Sequence, residues 1–226
     1  TFTRADIEAM MREGARGTPG GIDLFSLFNQ PADWEGARNP LLQLPHWRSP
    51  ADGYKATALS APGERYLAAR YSHDTRKKLR RKEKRLCELG ALRHLRARDA
   101  DQARMILAAF TAQKSARMKE KRLDDTFGSA AAREFLARVA IEPLERGQEP
   151  AVELHALMLD GRVVATLAGA RAGGRFSGMF NSFVADADIS RNSPGDLLVA
   201  KVLAEKCDEG LTTFDLGVGD ARYKRT

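Results

Sequence analysis

Asp215 stands in the run Thr213-Phe214-Asp215-Leu216-Gly217-Val218, where bulky apolar side chains alternate with small or polar ones. That period of two marks a strand, so Phe214, Leu216 and Val218 face one way while Asp215 faces the other with Thr213 and Gly217. A carboxylate there can accept a proton from an amine or anchor it, or it can be a structural acid paired with Arg222 or Lys224. Glu153 and His155 share one face of a second alternating run, Val152–Leu159, as a further base candidate or as an ordinary solvated strand face. Tyr223 and Lys224 follow the Asp215 strand and are able to donate to a substrate oxygen or a leaving thiolate, or merely to close the sheet.

Two further constellations concern charge. Arg191-Asn192-Ser193 lead into Pro194-Gly195-Asp196, which reads as a helix start just past the carboxyl end of a strand. Free amides and the positive end of the helix dipole suit an anion such as a pyrophosphate, and Gly195 lets it approach the backbone. The same residues also make a capping-box-like start, with Ser193 as cap and Pro194 at the first helical position. Upstream, Arg76, Lys77, Lys78, Arg80, Arg81, Lys82, Lys84 and Arg85 crowd into ten residues. A run this lopsided repels itself, which favours a phosphate-bearing partner gripped by residues such as Lys77, Arg81 and Lys84 over a merely solvated face.

These residues need elements to hold them. Residues 1–62 are rich in turn formers, with short strands expected at Ile22–Phe28 and Tyr54–Leu59. Ser72 or Asp74 caps a helix with Leu79, Leu86 and Leu89 as its buried stripe, stopped by Gly90. Residues 99–120 and 129–147 read as helices, the second ended or kinked at Pro143. Beyond Pro150, Val152–Leu159, Val163–Ala170 and Phe176–Ala185 form an antiparallel meander turning at Asp160-Gly161 and Gly173-Gly174. A helix from Ser193 to Gly210 then crosses over to a parallel strand, Thr212–Val218.

Composition removes several classes. No apolar run approaches the roughly 20 residues of a membrane helix, and no basic-then-apolar leader is visible. Cys87 and Cys207 lie far apart, and His46, His73, His94 and His155 lack the close spacing of a zinc site, so no metal is expected and the thiols suit a reducing, cytoplasmic setting. The net charge of +7 is local: residues 71–98 carry 11 basic and 3 acidic side chains, whereas the flanking segments nearly balance. A phosphate-bearing partner such as RNA, a nucleotide-linked acceptor or an anionic lipid surface is therefore expected at the basic helix, 75–89.

The strings VELHALMLDGRVVATLAG, SPGDLL and FDLGVGDARYK, in that order, resemble the catalytic half of the GNAT acetyltransferase superfamily. They are most similar to its branch linked to cellulose and exopolysaccharide synthesis, related to the Fem-type aminoacyl transferases, and TRKKLRRKEKRLCELG resembles the basic helix of Fem-like proteins. The resemblance implies an α+β fold: a mixed sheet, meander plus strand–helix–strand crossover, flanked by helices. It implies acetyl-CoA as co-substrate, its pantetheine along the backbone of Phe183, Val184 and Ala185 and its pyrophosphate at Arg191–Asp196. Where the family's phosphate loop has a glycine and a small residue after its Gln or Arg, this chain has Pro194 and Asp196 after Arg191, which leaves room for aminoacyl-tRNA as donor. The expected organisation is a loop-rich N-terminal region with the basic helix over 1–98, either a partial GNAT-like half or the substrate side, and a GNAT-like acyltransferase domain over 99–226. The expected reaction is N- or O-acylation of an amine or hydroxyl on a small-molecule or glycan-precursor acceptor. A non-catalytic module holding nucleic acid is the remaining alternative.

Overall fold

The computed structural model describes residues 2–25, 27, 32–34, 36–45, 54–60 and 62–218. The chain divides into two compact units, one built on the residues up to Tyr54 and the other on Lys55–Gly217. The first contains helix α1 (Arg4–Arg16), the hairpin β1 (Asp33–Trp34) and β2 (Ala37–Arg38), and a 3₁₀ turn at Pro40–Gln43. Helix α1 begins at a reciprocal capping box: Asp6 N donates to Thr3 Oγ1 and Thr3 N to Asp6 Oδ2. That helix was not expected from a segment so rich in turn formers. Conversely, residues 22–25 and 27, within the strand expected at Ile22–Phe28, carry no strand, and positions 26 and 28 lie outside the described residues.

The second unit runs β3 (Tyr54–Ala58), α2 (Gly63–Arg70), α3 (His73–Cys87), β4 (Leu92–Arg96), α4 (Ala100–Lys121), α5 (Ala130–Ala140), α6 (Glu142–Glu145), β5 (Val152–Leu159), β6 (Arg162–Ala172), β7 (Arg175–Phe183), α7 (Ala187–Ser190), α8 (Pro194–Asp208) and β8 (Thr213–Val218). Its six-stranded sheet has the order β3-β8-β7-β6-β5-β4, with β4 to β7 successively antiparallel and β8 parallel to β7. The fold is thus the expected mixed sheet of meander and crossover, flanked by helices. Asp160 and Gly161, at φ 46° and 79°, make the β5–β6 turn that needs left-handed backbone. Strand β4, in the segment assigned from sequence to the N-terminal region, pairs with β5.

Both faces of the sheet are covered. Helix α8 buries Leu198, Val202 and Leu203 against Leu157, Leu167, Phe176 and Phe214, while α4 and α5 bury Ile106, Phe110 and Leu136 against Leu154, Ala156 and Met158. Every residue of β5 is therefore buried, and its alternation is between two interior faces rather than core and water. Helix α3 is capped by the Ser72 hydroxyl, which accepts from Thr75 N. Its inward residues are Leu79 and Leu86; Leu89, expected in that stripe, lies past the helix end and is 46% exposed. Among the described residues no helix is long and apolar enough to cross a membrane.

Candidate active site

Strands β7 and β8 part company early. Their register holds for Arg175↔Thr213, Phe176↔Phe214 and Ser177↔Asp215, yet β7 continues to Phe183 and stays paired with β6 as far as Ala165↔Phe183. Two local causes are visible. The Asp215 carboxylate accepts the Gly217 amide at 2.7 Å, and Gly217 adopts φ 69°, which bends β8 out of the ladder. A register shift at Ala168/Gly169 also skews β7 beyond Gly178. Among the described residues the β7–β8 register thus ends at Ser177↔Asp215, and beyond it the strands part, a geometry that can admit an extended ligand.

Asp215 itself is 3% exposed, accepts from Ser177 Oγ at 3.1 Å and lies 3.6 Å from Arg175 Nη1. Arg175 is thus an ion partner that the sequence reading did not name; Arg222, Tyr223 and Lys224 lie outside the described residues. Level with Ser177, Asp215 sits six residues from Phe183 along β7, about 20 Å at ~3.3 Å per residue. The structure does not bring it to Phe183–Ala185. At that far end Phe183 and Ala185 are exposed, while Val184 is buried and its amide donates to Val164 O at 3.0 Å.

Helix α8 begins beside this end, but not as its sequence suggests. Ser193 is left-handed at φ 49° and makes no side-chain cap; its hydroxyl instead accepts from Lys82 Nζ of α3 at 2.6 Å. Lys201 of α8 likewise reaches Glu83 at 2.6 Å. The basic helix and the α8 start, expected apart, are therefore in contact. Arg191 is exposed and paired with Asp188 at 3.1 Å. Asn192 is 2% exposed, with Nδ2 donating to Asp188 O and Oδ1 lacking a hydrogen-bond partner. Gly195 is not sterically required: an added Cβ would stand 3.6 Å from the Phe183 ring, an ordinary contact. Asp196 lies near Tyr71, whose phenol is pushed up by burial and by that charge.

Glu153 and His155 belong to a different cluster. They are 3% and 0% exposed, so their strand face is not solvated. Lys206, fully buried on α8, donates to Glu153 Oε2 at 2.6 Å and to Glu209 at 3.1 Å. Arg96 reaches Glu209 at 2.6 Å and Glu153 at 3.3 Å. His155 Nδ1 meets His94 Nε2 at 3.2 Å, and His94 Nδ1 lies 3.6 Å from Glu205. Burial would raise the Glu153 carboxyl, but His155, Lys206 and Arg96 overcome it and hold it at about 2. Burial, with Lys201 and Lys206 nearby, lowers His94 to about 4, and burial lowers His155 against the pull of Glu153. His94, His155 and Glu205 present one ligand atom each within 4.8 Å of one another, a grouping that spacing in the sequence hid. His155 pairs in register with Leu167, and Leu167 with Asn181 of β7. It is therefore two strands, about 10 Å, from the slot edge.

A family model described as "Acetyltransferase (GNAT) domain" matches residues 73–225. The chain belongs to this family. Strand β4 and helix α3 fall inside the match. Among solved structures the chain resembles FemX (TM-score 0.54, 11% identity, 74% of this chain and 53% of that one). It also resembles a conserved Bacteroides thetaiotaomicron protein of unknown function (TM-score 0.51, 14% identity, 82% and 58%). A third is the C-terminal domain of an Agrobacterium fabrum protein described as a lysylphosphatidylglycerol synthetase (TM-score 0.50, 16% identity, 75% and 46%). At such identities the likeness is one of fold, and the chain spans about half the length of these structures. No curated protein matches by sequence.

The GNAT domain fits an acyl-thioester co-substrate unevenly. The parted end of β7 suits a pantetheine arm. At the α8 start, Pro194 lacks an amide, Arg191 is turned to Asp188 and Asp196 adds negative charge, so the cation nearest the start is Lys82. Sequence reasoning missed Lys82 as a site residue because only the fold carries it to Ser193.

Proposed function

We propose that this GNAT domain transfers an acyl group, acetyl foremost, from an acyl-CoA to an amine or hydroxyl acceptor. The observation that carries this reading is the parting of β7 from β8 beyond Ser177↔Asp215, beside the α8 N-terminus. When bound, the acyl-CoA supplies an activated thioester; the chain supplies backbone groups to align it, and Lys82 to meet its phosphates. A precursor of a cell-surface polysaccharide is the acceptor that the sequence resemblance suggests. We place the work in the cytoplasm, where the free thiols Cys87 and Cys207 stay reduced. A second reading, aminoacyl transfer from a tRNA, is favoured by α3: Lys77, Lys78, Arg80, Arg81, Lys84 and Arg85 are all exposed, on a helix that touches Ser193.

Acetyl-CoA at about 100 times its dissociation constant is expected to stabilise the fold by roughly 2.7 kcal/mol, read as a melting shift. Free CoA should retain most of it. No shift with any acyl-CoA up to millimolar concentration removes the first reading, and saturable binding of aminoacyl-tRNA over deacylated tRNA would then establish the second.

A further inference from the structure

We infer that Lys114 and Arg117 of α4 form a binding site for an anionic group, phosphate or carboxylate, at the mouth of the β7 slot. The first support is placement. Phe110, Phe127 and Phe180 pack as a triangle with centroids 4.6–5.4 Å apart, seating α4 on the sheet. Gln113 then locks the register, donating to Val163 O of β6 at 3.0 Å and accepting from Ser182 of β7 at 2.7 Å. With Gln113 tied to both strands, Lys114 Nζ falls 3.5 Å from Asn181 O. Arg117, one turn on, stands 4.9 Å over the Phe183 ring. Both cations thus reach β7 at Asn181 and Phe183, beyond the point where its register with β8 ends.

The second support is the company they lack. Among the described residues neither cation has a carboxylate at ion-pair distance; their other contact is Phe127, 5.7 Å from Lys114 Nζ. The neighbouring carboxylate, Asp125, is already held by the Ser115 hydroxyl and the Gly128 amide. Lys114 is half-buried, and burial together with Arg117 lowers its pKa. A half-buried ammonium beside a guanidinium, with no acid against them, is a costly arrangement for a fold to keep. An anion arriving there relieves both the repulsion and the lost hydration, while exposed Met179 and Phe183 offer apolar surface to the rest of the ligand.

The anion site stands on this geometry alone; assigning its ligand to a substrate rests on the acyltransferase reading. The donor's phosphates and an anionic group of the acceptor share the chemistry, and the experiment separates them. Inorganic pyrophosphate is titrated by calorimetry into the chain, and into a K77E/R81E/K84E background that strips the basic helix of competing charge. Saturable binding should persist in that background, weaken at least tenfold in Lys114→Met and Arg117→Met, and largely survive Lys114→Arg. Pyrophosphate binding that disappears with the α3 charges, or that ignores both methionine substitutions in folded protein, overturns the site. Acetyl-CoA and acetyl-pantetheine are then compared. Loss of affinity in Lys114→Met for acetyl-CoA alone gives the anion to the donor, and unchanged affinity for both gives it to the acceptor. If wild-type protein binds neither thioester, the acyl-CoA reading fails while the pyrophosphate result still decides the site.

Discussion

Two regions of the sheet, the β4–β5 edge and the end of β7 that parts from β8, treat charge in opposite ways. At the β4–β5 edge, Lys206, Arg96 and Arg171 meet Glu153, Glu205, Glu209 and Glu149 in a network whose centre is buried. At the open end of β7, Lys114 and Arg117 face backbone and aromatic rings. The closed edge shows charge used to lock α8 onto β5: its partners come from the protein and leave no demand for a ligand. At the end of β7, Lys114 and Arg117 have no carboxylate at ion-pair distance among the described residues, which is the opening the proposed anion would fill. A perturbed ionisable group is therefore a weak guide to function until its neighbours are counted. By that count Glu153 and His155 already have partners within the protein, and the proposed site lies instead at α4, α8 and the parted end of β7.

The sharpest way to break this contrast is Lys206→Met. Removing one partner of a buried network leaves Glu153 uncompensated and should cost about 3–5 kcal/mol in urea unfolding. Adding Glu153→Leu should recover part of that loss, because an apolar pair no longer strands a charge. Loss below about 1 kcal/mol would mean that water or Arg96 already neutralises Glu153. Lys114→Met, by contrast, should not destabilise and should act in the stabilising direction, because it removes a half-buried charge beside Arg117.

Acid separates the two regions next. The native His94 pKa of about 4 lies below its ordinary 6.5, so as pH falls the unfolded chain takes up the proton first. Stability from His94 is complete above about pH 6.5 and is lost as pH falls toward 4, about 2–3 kcal/mol by pH 4.5. Glu153, held at about 2 against an ordinary 4.5, adds its own loss only below pH 4.5. His94→Asn should flatten the slope between pH 7 and 4.5, measured by urea midpoints; an unchanged slope would assign it to other groups.

How much of this was legible beforehand depended on whether the signal was local. The β5–β6–β7 meander and the α8 crossover are written in period-two runs, in Asp160-Gly161 and in the Pro194 helix start, and the structure has them. Helix α1 is announced by Thr3 and Asp6, a capping pair outweighed by the surrounding Pro and Gly. Strand β4 was hidden because Arg93, His94 and Arg96 break the apolar pattern of a strand. His94 and Arg96 pair with acids on α8 and β5, a demand that only tertiary contact creates. Asp215 was read correctly as facing away from the apolar side of its strand, yet its ties to Ser177, Arg175 and Gly217 depend on strand register and on the bend it causes. Lys114 and Arg117 drew no notice because two cations on a helix look like solvent-facing charge.

The smallest expected effect tests the basic helix. Lys77, Arg81 and Lys84 are exposed, and α3 is seated by Leu79 and Leu86, so reversing all three to Glu should move stability by no more than about 0.5 kcal/mol per site. Removing self-repulsion from α3 acts in the stabilising direction. Lys82 is left in place because its ammonium holds Ser193; altering it would disturb the α8 start and confound the result. Binding should respond far more than folding does, since three reversals change the local charge by six units at a surface open to solvent. At low salt, affinity for total tRNA should fall sharply and its dependence on salt should flatten. If the triple variant binds tRNA as tightly as the parent, α3 is a solvated face whose one contribution to the slot is Lys82, and the aminoacyl reading loses its support.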